Sequence, residues 1–319
     1  MYTPKSLNNK HLILVAILGL VTAIAFVSLG SNDSKTALEH EHETEQKRSS
    51  VHPFTVSPDI PSQISFCGQT IDLSRYDRHE GFDRELSSFT YLHSTTLLLF
   101  KRANRYFPII EPILKKNGIP DDFKYLAVIE SHLDPKASSP VRATGMWQFM
   151  EGTARQYGLI INATVDERSH VEKSTLAACK YLKAAYSKYG DWMTVASSYN
   201  AGMGRISGEQ NHQNVESALD MWLVDETLRY PYRILAIKLI FEDPVKYGFI
   251  LTPKNLYKPI RTKEISVSSD IPDLAEFAKS QNITYADLKR FNPWLKERKL
   301  IVAGNKYTIQ IPEEEEMYY

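Results

Sequence analysis

The feature that most constrains the fold is a long stretch, residues 86–248, in which apolar residues recur at helical spacing between short breaker segments. The breakers are Asn117-Gly118-Ile119-Pro120, Tyr189-Gly190-Asp191 and Glu242-Asp243-Pro244. Gly, Pro, Asn and Asp end helices or form turns, and no run within the stretch alternates as a half-buried strand does. The sequence therefore predicts a mainly α fold with an all-helical domain.

A different pattern follows the helical stretch. Residues 263–267 and 307–311 alternate as strands do, and two short helical patterns lie between them, the second of which begins after Thr284. We therefore expect a small α+β domain with the order βααβ at residues 262–312. The acidic residues at 313–319 are expected to form a solvated tail.

The N-terminus, residues 1–30, contains an almost unbroken apolar run from Leu12 to Leu29, preceded by Lys5 and Lys10. This run exceeds the about 7–15 residues of a cleavable signal core and approaches the about 20 that span a bilayer. We expect a signal anchor with its lysines in the cytoplasm, or else a signal peptide that is removed. We expect the rest of the chain to lie in the periplasm, anchored to the inner membrane as a partner, or to be secreted after cleavage of this segment.

Residues 31–85 are predicted to form a polar linker and N-terminal extension, because residues 31–61 show no apolar period. His40 and His42 lie in this linker. A mobile segment offers no preorganised ligand shell, so a solvated linker explains these histidines better than a metal site does. We expect neither a metal nor a cofactor.

The composition bears on the class of partner. The chain has 38 basic and 38 acidic residues, so its formal net charge is zero and nothing indicates electrostatic binding of nucleic acid. Its 18 Tyr and 4 Trp residues offer flat apolar faces with polar edges, which suit sugar rings. Aromatic residues at helical spacing, however, more often form ordinary core.

Glu130 is the best catalytic candidate, because it shares the apolar face of a predicted helix with Phe123, Leu126 and Ala127. A carboxyl group in such surroundings loses hydration, which raises its pKa. It then carries a proton near neutral pH, as a general acid must. Taken alone, a buried carboxylate is more often a structural residue that pairs with an Arg or caps a helix.

Three clusters place hydrogen-bonding side chains beside apolar ones at helix ends or in loops. They are Glu130-Ser131, residues 145–150 and residues 198–202. Such positions line clefts, where a rigid scaffold presents side chains to a ligand. Each also has an ordinary explanation: Gly202 as a helix C-cap, Met146 and Trp147 as core, and Asn200 as a turn former.

Together and in this order, the motifs resemble the lytic transglycosylase domain of glycoside hydrolase family 23, which has a goose-lysozyme-like helical fold. The resemblance covers residues 100–245 and is carried by residues 127–131, 145–155, 198–202 and 226–230. It implies a catalytic domain at residues 86–250. It makes Glu130 catalytic and implies the following substrate-binding residues: Ser131, Met146, Gln148, Tyr199, Asn200 and Tyr230. Ser198 stands where the family usually has Ala.

The C-terminal region resembles a lysin-motif module, a binder of glycans that contain N-acetylglucosamine. Residues 282–293, with Gly304 and Ile311-Pro312, carry this resemblance. The usual Gly-Asp-Thr turn before the first helix is replaced by Ile271-Pro272-Asp273. Because that turn contributes to the sugar groove, glycan binding is less firmly implied than the fold.

The resemblance implies cleavage of peptidoglycan strands, the expected partner, to give 1,6-anhydro-N-acetylmuramic acid ends. Glu130 would be the only acid and base, because we expect no second Asp or Glu within the motifs, and the phenol of Tyr199 would orient it. One alternative is a hydrolase of lysozyme or chitinase type, for which Glu151 and Asp134 are the nearest second carboxylates in sequence. Another is a non-catalytic wall-binding protein that retains the fold.

Overall fold

The structure is a computed structural model that describes residues 55–319, so the predicted N-terminal anchor or signal segment lies outside the described residues. Residues Pro58–Tyr319 form one compact unit. Within the described residues, its helices are α1 (Tyr76–Tyr91), α2 (His93–Lys116), α3 (Lys124–Ser131), α4 (Glu151–Gln156), α5 (Val171–Tyr189), α6 (Trp192–Ala201), α7 (Met203–Gln213), α8 (Asp225–Glu242), α9 (Leu274–Ser280) and α10 (Tyr285–Phe291). No helix in this part of the chain is long and apolar enough to cross a bilayer.

A β-hairpin precedes the helices and was not expected from the sequence. Strands β1 (Gln63–Phe66) and β2 (Gln69–Asp72) pair antiparallel. Phe66 and Phe82, the latter in α1, are fully buried in the main core. The packed region therefore includes part of the segment predicted as linker and extension, and the domain boundary predicted at residue 86 falls inside α1.

Helix α3 lies inside the helical domain, where α2 and α8 pack against it. Its residues 125–129 are all buried, and burial of one side chain such as Leu126 contributes about 1.5–3 kcal/mol. Helix α8 also contacts α1 and α6. It therefore brings its own side chains to both α3 and α6, the helices that carry two of the sequence motifs.

The C-terminal domain has the predicted order βααβ. Strands β3 (Thr262–Val267) and β4 (Tyr307–Pro312) pair antiparallel, with α9 and α10 between them in sequence. The side chain of Asp273 caps α9, and that of Thr284 caps α10 by accepting the Asp287 amide. The predicted fold class, a mainly α chain with a small C-terminal α+β domain, is confirmed.

The acidic tail makes contacts with the rest of the chain that the sequence did not predict. Glu316 accepts from Arg261 at 2.6 Å, and residues Glu314–Met317 form a short 3₁₀-helix. The backbone carbonyl of Tyr318 accepts from Lys258 at 2.5 Å. Basic side chains just before the C-terminal domain therefore hold part of the tail, whereas Glu314, Glu315 and Tyr319 stay exposed.

Candidate active site

Glu130 lies in the last turn of α3, which ends where His132 adopts a left-handed conformation with φ 53°. A short 3₁₀-helix, Asp121–Phe123, directly follows the breaker that ends at Pro120 and precedes α3. Ile129 and Leu133 on either side are buried, whereas Glu130 itself is partly exposed. The helix therefore presents one carboxyl group at the edge of an apolar interior.

The environment of Glu130 favours its protonated form. Burial raises its pKa from 4.5 to about 7, and the negative charge of Glu226 adds to this effect. The hydroxyl of Tyr230 and the positive charge of Arg233 lower the pKa, but by less. The pKa is shifted in the direction that the sequence predicts, and a value near 7 suits a group that must both give and take a proton.

Tyr230 and Tyr199 have different partners. The hydroxyl of Tyr230 in α8 donates to Oε1 of Glu130. The hydroxyl of Tyr199 in α6 donates instead to the backbone carbonyl of Trp147 at 2.8 Å. The expectation that Tyr199 orients Glu130 through a hydrogen bond is therefore wrong. Helix α8 packs against α3 so that the hydroxyl of Tyr230, and not that of Tyr199, lies beside the Glu130 carboxyl group.

Two of the motif residues hold the loop at residues 144–149 against α3. The hydroxyl of Ser131 donates to the carbonyl of Met146 at 2.8 Å, and the side chain of Met146 is fully buried. In this structure neither of these side chains lines an open cleft. Their contacts instead fix the distance between the loop and the end of the helix that carries Glu130.

Gln148 and Asn200, the remaining predicted substrate-binding residues, also have protein partners. The amide nitrogen of Gln148 donates to the carbonyls of Gly145 at 2.9 Å and Ala137 at 3.2 Å. The side-chain oxygen of Asn200 accepts from the hydroxyl of Thr227 at 2.8 Å. Both residues are partly exposed, and each keeps polar atoms that these bonds do not use.

Gly145 is required by its surroundings. Its φ is +84°, and a Cβ added there would lie 1.8 Å from the carbonyl oxygen of Arg168. No side chain fits at that distance, so the loop can approach the backbone of residue 168 only with glycine at this position. The Gly in the motif thus has a packing reason.

The carboxylates named from sequence as possible second catalytic groups are engaged elsewhere. Glu151 pairs with Arg155 at 2.8 Å on the exposed face of α4, and Asp134 lies 3.6 Å from Arg102. The carboxylate that acts electrostatically on Glu130 is Glu226, the first residue of the fourth motif stretch. The expectation that the motifs contain no second Asp or Glu is therefore wrong, because Glu226 lies within the stretch at residues 226–230.

Three residues of α8 influence Glu130, and only Tyr230 was named as a site residue in the sequence analysis. Glu226, Tyr230 and Arg233 are spaced i, i+4 and i+7, so they share one face of the helix. That spacing was the signal that could have identified the other two. Glu226 and Arg233 also line a cavity of about 390 Å³, to which His132 contributes.

A salt bridge that the sequence analysis missed supports this face of α8. The carboxylate of Glu85 in α1, itself buried, accepts from Arg229 at 2.6 Å. Among the described residues, no group of three or more His, Cys, Asp or Glu side chains could hold a metal ion.

Two family models match the chain. Residues 107–220 match the Transglycosylase SLT domain, and residues 263–315 match the Soluble lytic transglycosylase C-terminal LysM-like domain. The chain therefore contains a transglycosylase SLT domain followed by a LysM-like domain. Both resemblances predicted from the motifs are confirmed, and the first range includes Glu130 and two of the other motif stretches.

Two curated relatives match about two thirds of this chain. Membrane-bound lytic murein transglycosylase D of Escherichia coli strain K12 is 30% identical over 229 residues, 70% of this chain and 49% of that protein. Membrane-bound lytic murein transglycosylase F of Yersinia pestis strain Pestoides F is 26% identical over 222 residues, 65% of this chain and 43% of that protein. This chain thus spans about half the length of the curated relatives that it matches.

Among solved structures, the 70 kDa soluble lytic transglycosylase from Escherichia coli is similar at 20% sequence identity with a TM-score of 0.36. The similarity covers 48% of this chain and 27% of that one.

Proposed function

We propose that this protein is a peptidoglycan lytic transglycosylase that cleaves the β-1,4 bond between N-acetylmuramic acid and N-acetylglucosamine. The observation that carries the proposal is Glu130, whose pKa of about 7 and bond from Tyr230 suit a general acid within an SLT domain. The names of the matched relatives, both murein transglycosylases, support the same substrate.

In the proposed reaction, Glu130 first protonates the glycosidic oxygen, and the bond between that oxygen and C1 of the muramic acid breaks. The acetamido group of the sugar stabilises the positive charge that develops at C1. The C6 hydroxyl of the same sugar then forms a bond to C1, and the Glu130 carboxylate takes the hydroxyl proton. The product is a 1,6-anhydro end, Glu130 regains its proton, and no water is consumed.

The product distinguishes this reaction from hydrolysis. Mass spectrometry of digested peptidoglycan should show muramic acid ends that are lighter than reducing ends by the mass of one water. Reducing ends alone would identify a hydrolase of lysozyme or chitinase type. Binding of the glycan without either product would support a non-catalytic wall-binding protein.

Glu226 provides a second test of the hydrolase alternative, because a hydrolase needs a second carboxylate as nucleophile or as base for water. If the single-carboxylate mechanism holds, Glu226→Gln retains anhydro product formation. A hydrolase that used Glu226 would instead lose turnover by several orders of magnitude. Glu151→Gln, which alters an exposed ion-paired carboxylate, is the matched control.

The pH profile is expected to respond in opposite directions to two changes in α8. The acid step needs protonated Glu130, so kcat/KM should fall as pH rises through about 7. Arg233→Gln removes a positive charge that lowers the Glu130 pKa, so this fall should move to higher pH. Glu226→Gln removes a negative charge that raises the pKa, so the fall should move to lower pH. Shifts in the same direction for both variants would contradict the assignment of Glu130 as the titrating acid.

We further propose that the protein acts in the periplasm, held at the inner membrane by the apolar run at residues 12–29. The full-length chain should fractionate with membranes and resist alkaline carbonate extraction, whereas a shortened chain that begins near residue 50 should be soluble. An N-terminus mapped at Ser31 in cells would show instead that the segment is a cleaved signal.

A further inference from the structure

The C-terminal domain contacts the helical domain through a strand-like pairing at residues 164–166. The amide of Asp166 donates to the carbonyl of Trp294 at 2.8 Å, and the amide of Lys296 donates to the carbonyl of Thr164 at 2.9 Å. These two backbone bonds run in opposite directions across the contact. They fix the register between the two domains at this segment of the helical domain.

The side chain in the middle of this pairing enters the core of the C-terminal domain. Val165 pairs antiparallel with Leu295, is fully buried, and packs in the same apolar cluster as Leu288 and Ile309. A residue of the helical domain thus completes the C-terminal core. Any displacement of the C-terminal domain must therefore move Val165 or leave a cavity in its place.

Asp166, the residue after Val165, forms a nearly buried ion pair with Arg168. The carboxylate of Asp166 accepts from Nε of Arg168 at 2.9 Å and from its Nη2 at 2.7 Å. The remaining terminal nitrogen of Arg168 donates to the carbonyls of Arg142 at 2.9 Å and Phe149 at 3.1 Å. Such a two-point carboxylate bond orients the planar guanidinium group, so Asp166 determines where Arg168 points.

The two carbonyls held by Arg168 lie at the two ends of the loop at residues 142–149, which contains the segment 144–149 described above. Between them, the carbonyl of Met146 accepts from Ser131, the neighbour of Glu130, and the carbonyl of Trp147 accepts from Tyr199. The backbone of residue 168 also packs against Gly145. The loop is thus held by the α3 end on one side and by Arg168 on the other.

We propose that the C-terminal domain braces the active-site loop: by holding residues 164–166 it fixes Asp166, which orients Arg168, which fixes the loop at residues 142–149 beside Glu130. Arg168 and Asp166 are positioning residues in this arrangement. The inference rests on the proposed function for its effect on catalysis. Its effect on the loop is independent of that function.

The test changes two residues in the full chain: Val165, which contacts the C-terminal core, and Arg168, which contacts the loop at residues 142–149. Val165→Ala weakens only the contact with the C-terminal core, and Arg168→Lys keeps a positive charge but loses the two-point bond and the loop carbonyls. Arg261→Lys, which changes an exposed ion-paired arginine on the C-terminal domain, is the matched control. If Val165→Ala fails to fold, Thr164→Val replaces it. This change removes the side-chain acceptor of the Ile301 amide, at 3.3 Å, from the same contact between the domains.

Two experiments are made on each variant at a temperature at which all are folded. One measures the kinetic constants kcat and KM on peptidoglycan, and the other measures hydrogen exchange of the peptide that spans residues 142–149. We expect Val165→Ala and Arg168→Lys to accelerate exchange in this loop and to lower kcat by about 10- to 100-fold, with a smaller change in KM. Small misplacements of catalytic geometry have effects of this size. Arg261→Lys should change neither quantity.

Unchanged loop exchange in Val165→Ala would overturn the brace, even if Arg168→Lys affects the loop, since the C-terminal domain would then have no part in holding it. Faster loop exchange with an unchanged kcat would overturn the claim that holding the loop supports catalysis. A wild-type chain without transglycosylase activity would contradict the proposed function, and loop exchange would still decide whether the brace exists.

Discussion

Glu130→Gln is expected to keep the fold and glycan binding and to lose nearly all turnover. The amide has almost the same size as the carboxyl group, and its oxygen can still accept the bond from Tyr230. It cannot donate the proton that the leaving oxygen requires. General acid catalysis contributes roughly 10²- to 10⁴-fold to a rate, and the loss is larger where no second group substitutes. Release of anhydro-muropeptides, compared with that of the wild type, measures the effect.

The matched control for this prediction is Glu151→Gln, which removes an exposed carboxylate paired with Arg155. Its turnover should stay near that of the wild type, because surface ion pairs contribute little to stability. Thermal melting of both variants separates loss of chemistry from loss of fold. Near-normal activity in a folded Glu130→Gln variant would remove Glu130 from the mechanism.

Tyr230→Phe is expected to have the second-largest effect, because its hydroxyl donates to the Glu130 carboxyl group. A hydrogen bond to a charged group contributes about 1.5–3 kcal/mol. If that bond strengthens as Glu130 becomes charged, its loss lowers kcat by about 10- to 100-fold. The pKa of Glu130 should also rise, because the hydroxyl lowers it. Measured pH profiles of kcat/KM test both parts.

Tyr199→Phe is the matched comparison, since it removes the same atom from a neighbouring phenol. The Tyr199 hydroxyl satisfies the Trp147 carbonyl, so its loss should lower the free energy of unfolding by about 1–3 kcal/mol. Its effect on kcat should be smaller than that of Tyr230→Phe. The opposite ranking of the two variants in kcat would contradict the hydrogen-bond assignment.

The helical period was enough to place Glu130, because the side of an α-helix on which a residue lies follows from spacing alone. The partner of Glu130 could not be derived in this way. Tyr199 and Tyr230 both occur in helical motifs, and the choice between them depends on how α8 crosses α3. Crossing geometry is set by the packing of many side chains together, which no single motif records.

The hairpin at residues 63–72 escaped prediction for a different reason. Each of its strands has only four residues, and the buried ones, such as Ile64 and Phe66, alternate over too short a span to stand out in a polar segment. In the C-terminal domain, by contrast, longer strands and the capping residue Thr284 gave clear signals, whereas the cap at Asp273 was found only in the structure. Local capping chemistry is readable from sequence, because it involves residues within one turn of each other.

The place of Val165 in the C-terminal core bears on how this region can be exchanged between proteins. A fragment that comprises only residues 262–312 lacks one of the side chains that fill its own interior. Transplanted to another protein, it would contain an empty site in that interior unless the recipient supplied a matching apolar residue. The LysM-like domain of this chain therefore does not fill its own core. Recombination that preserved its packing would have to carry the loop at residues 160–168 as well, or find an equivalent apolar residue in the recipient.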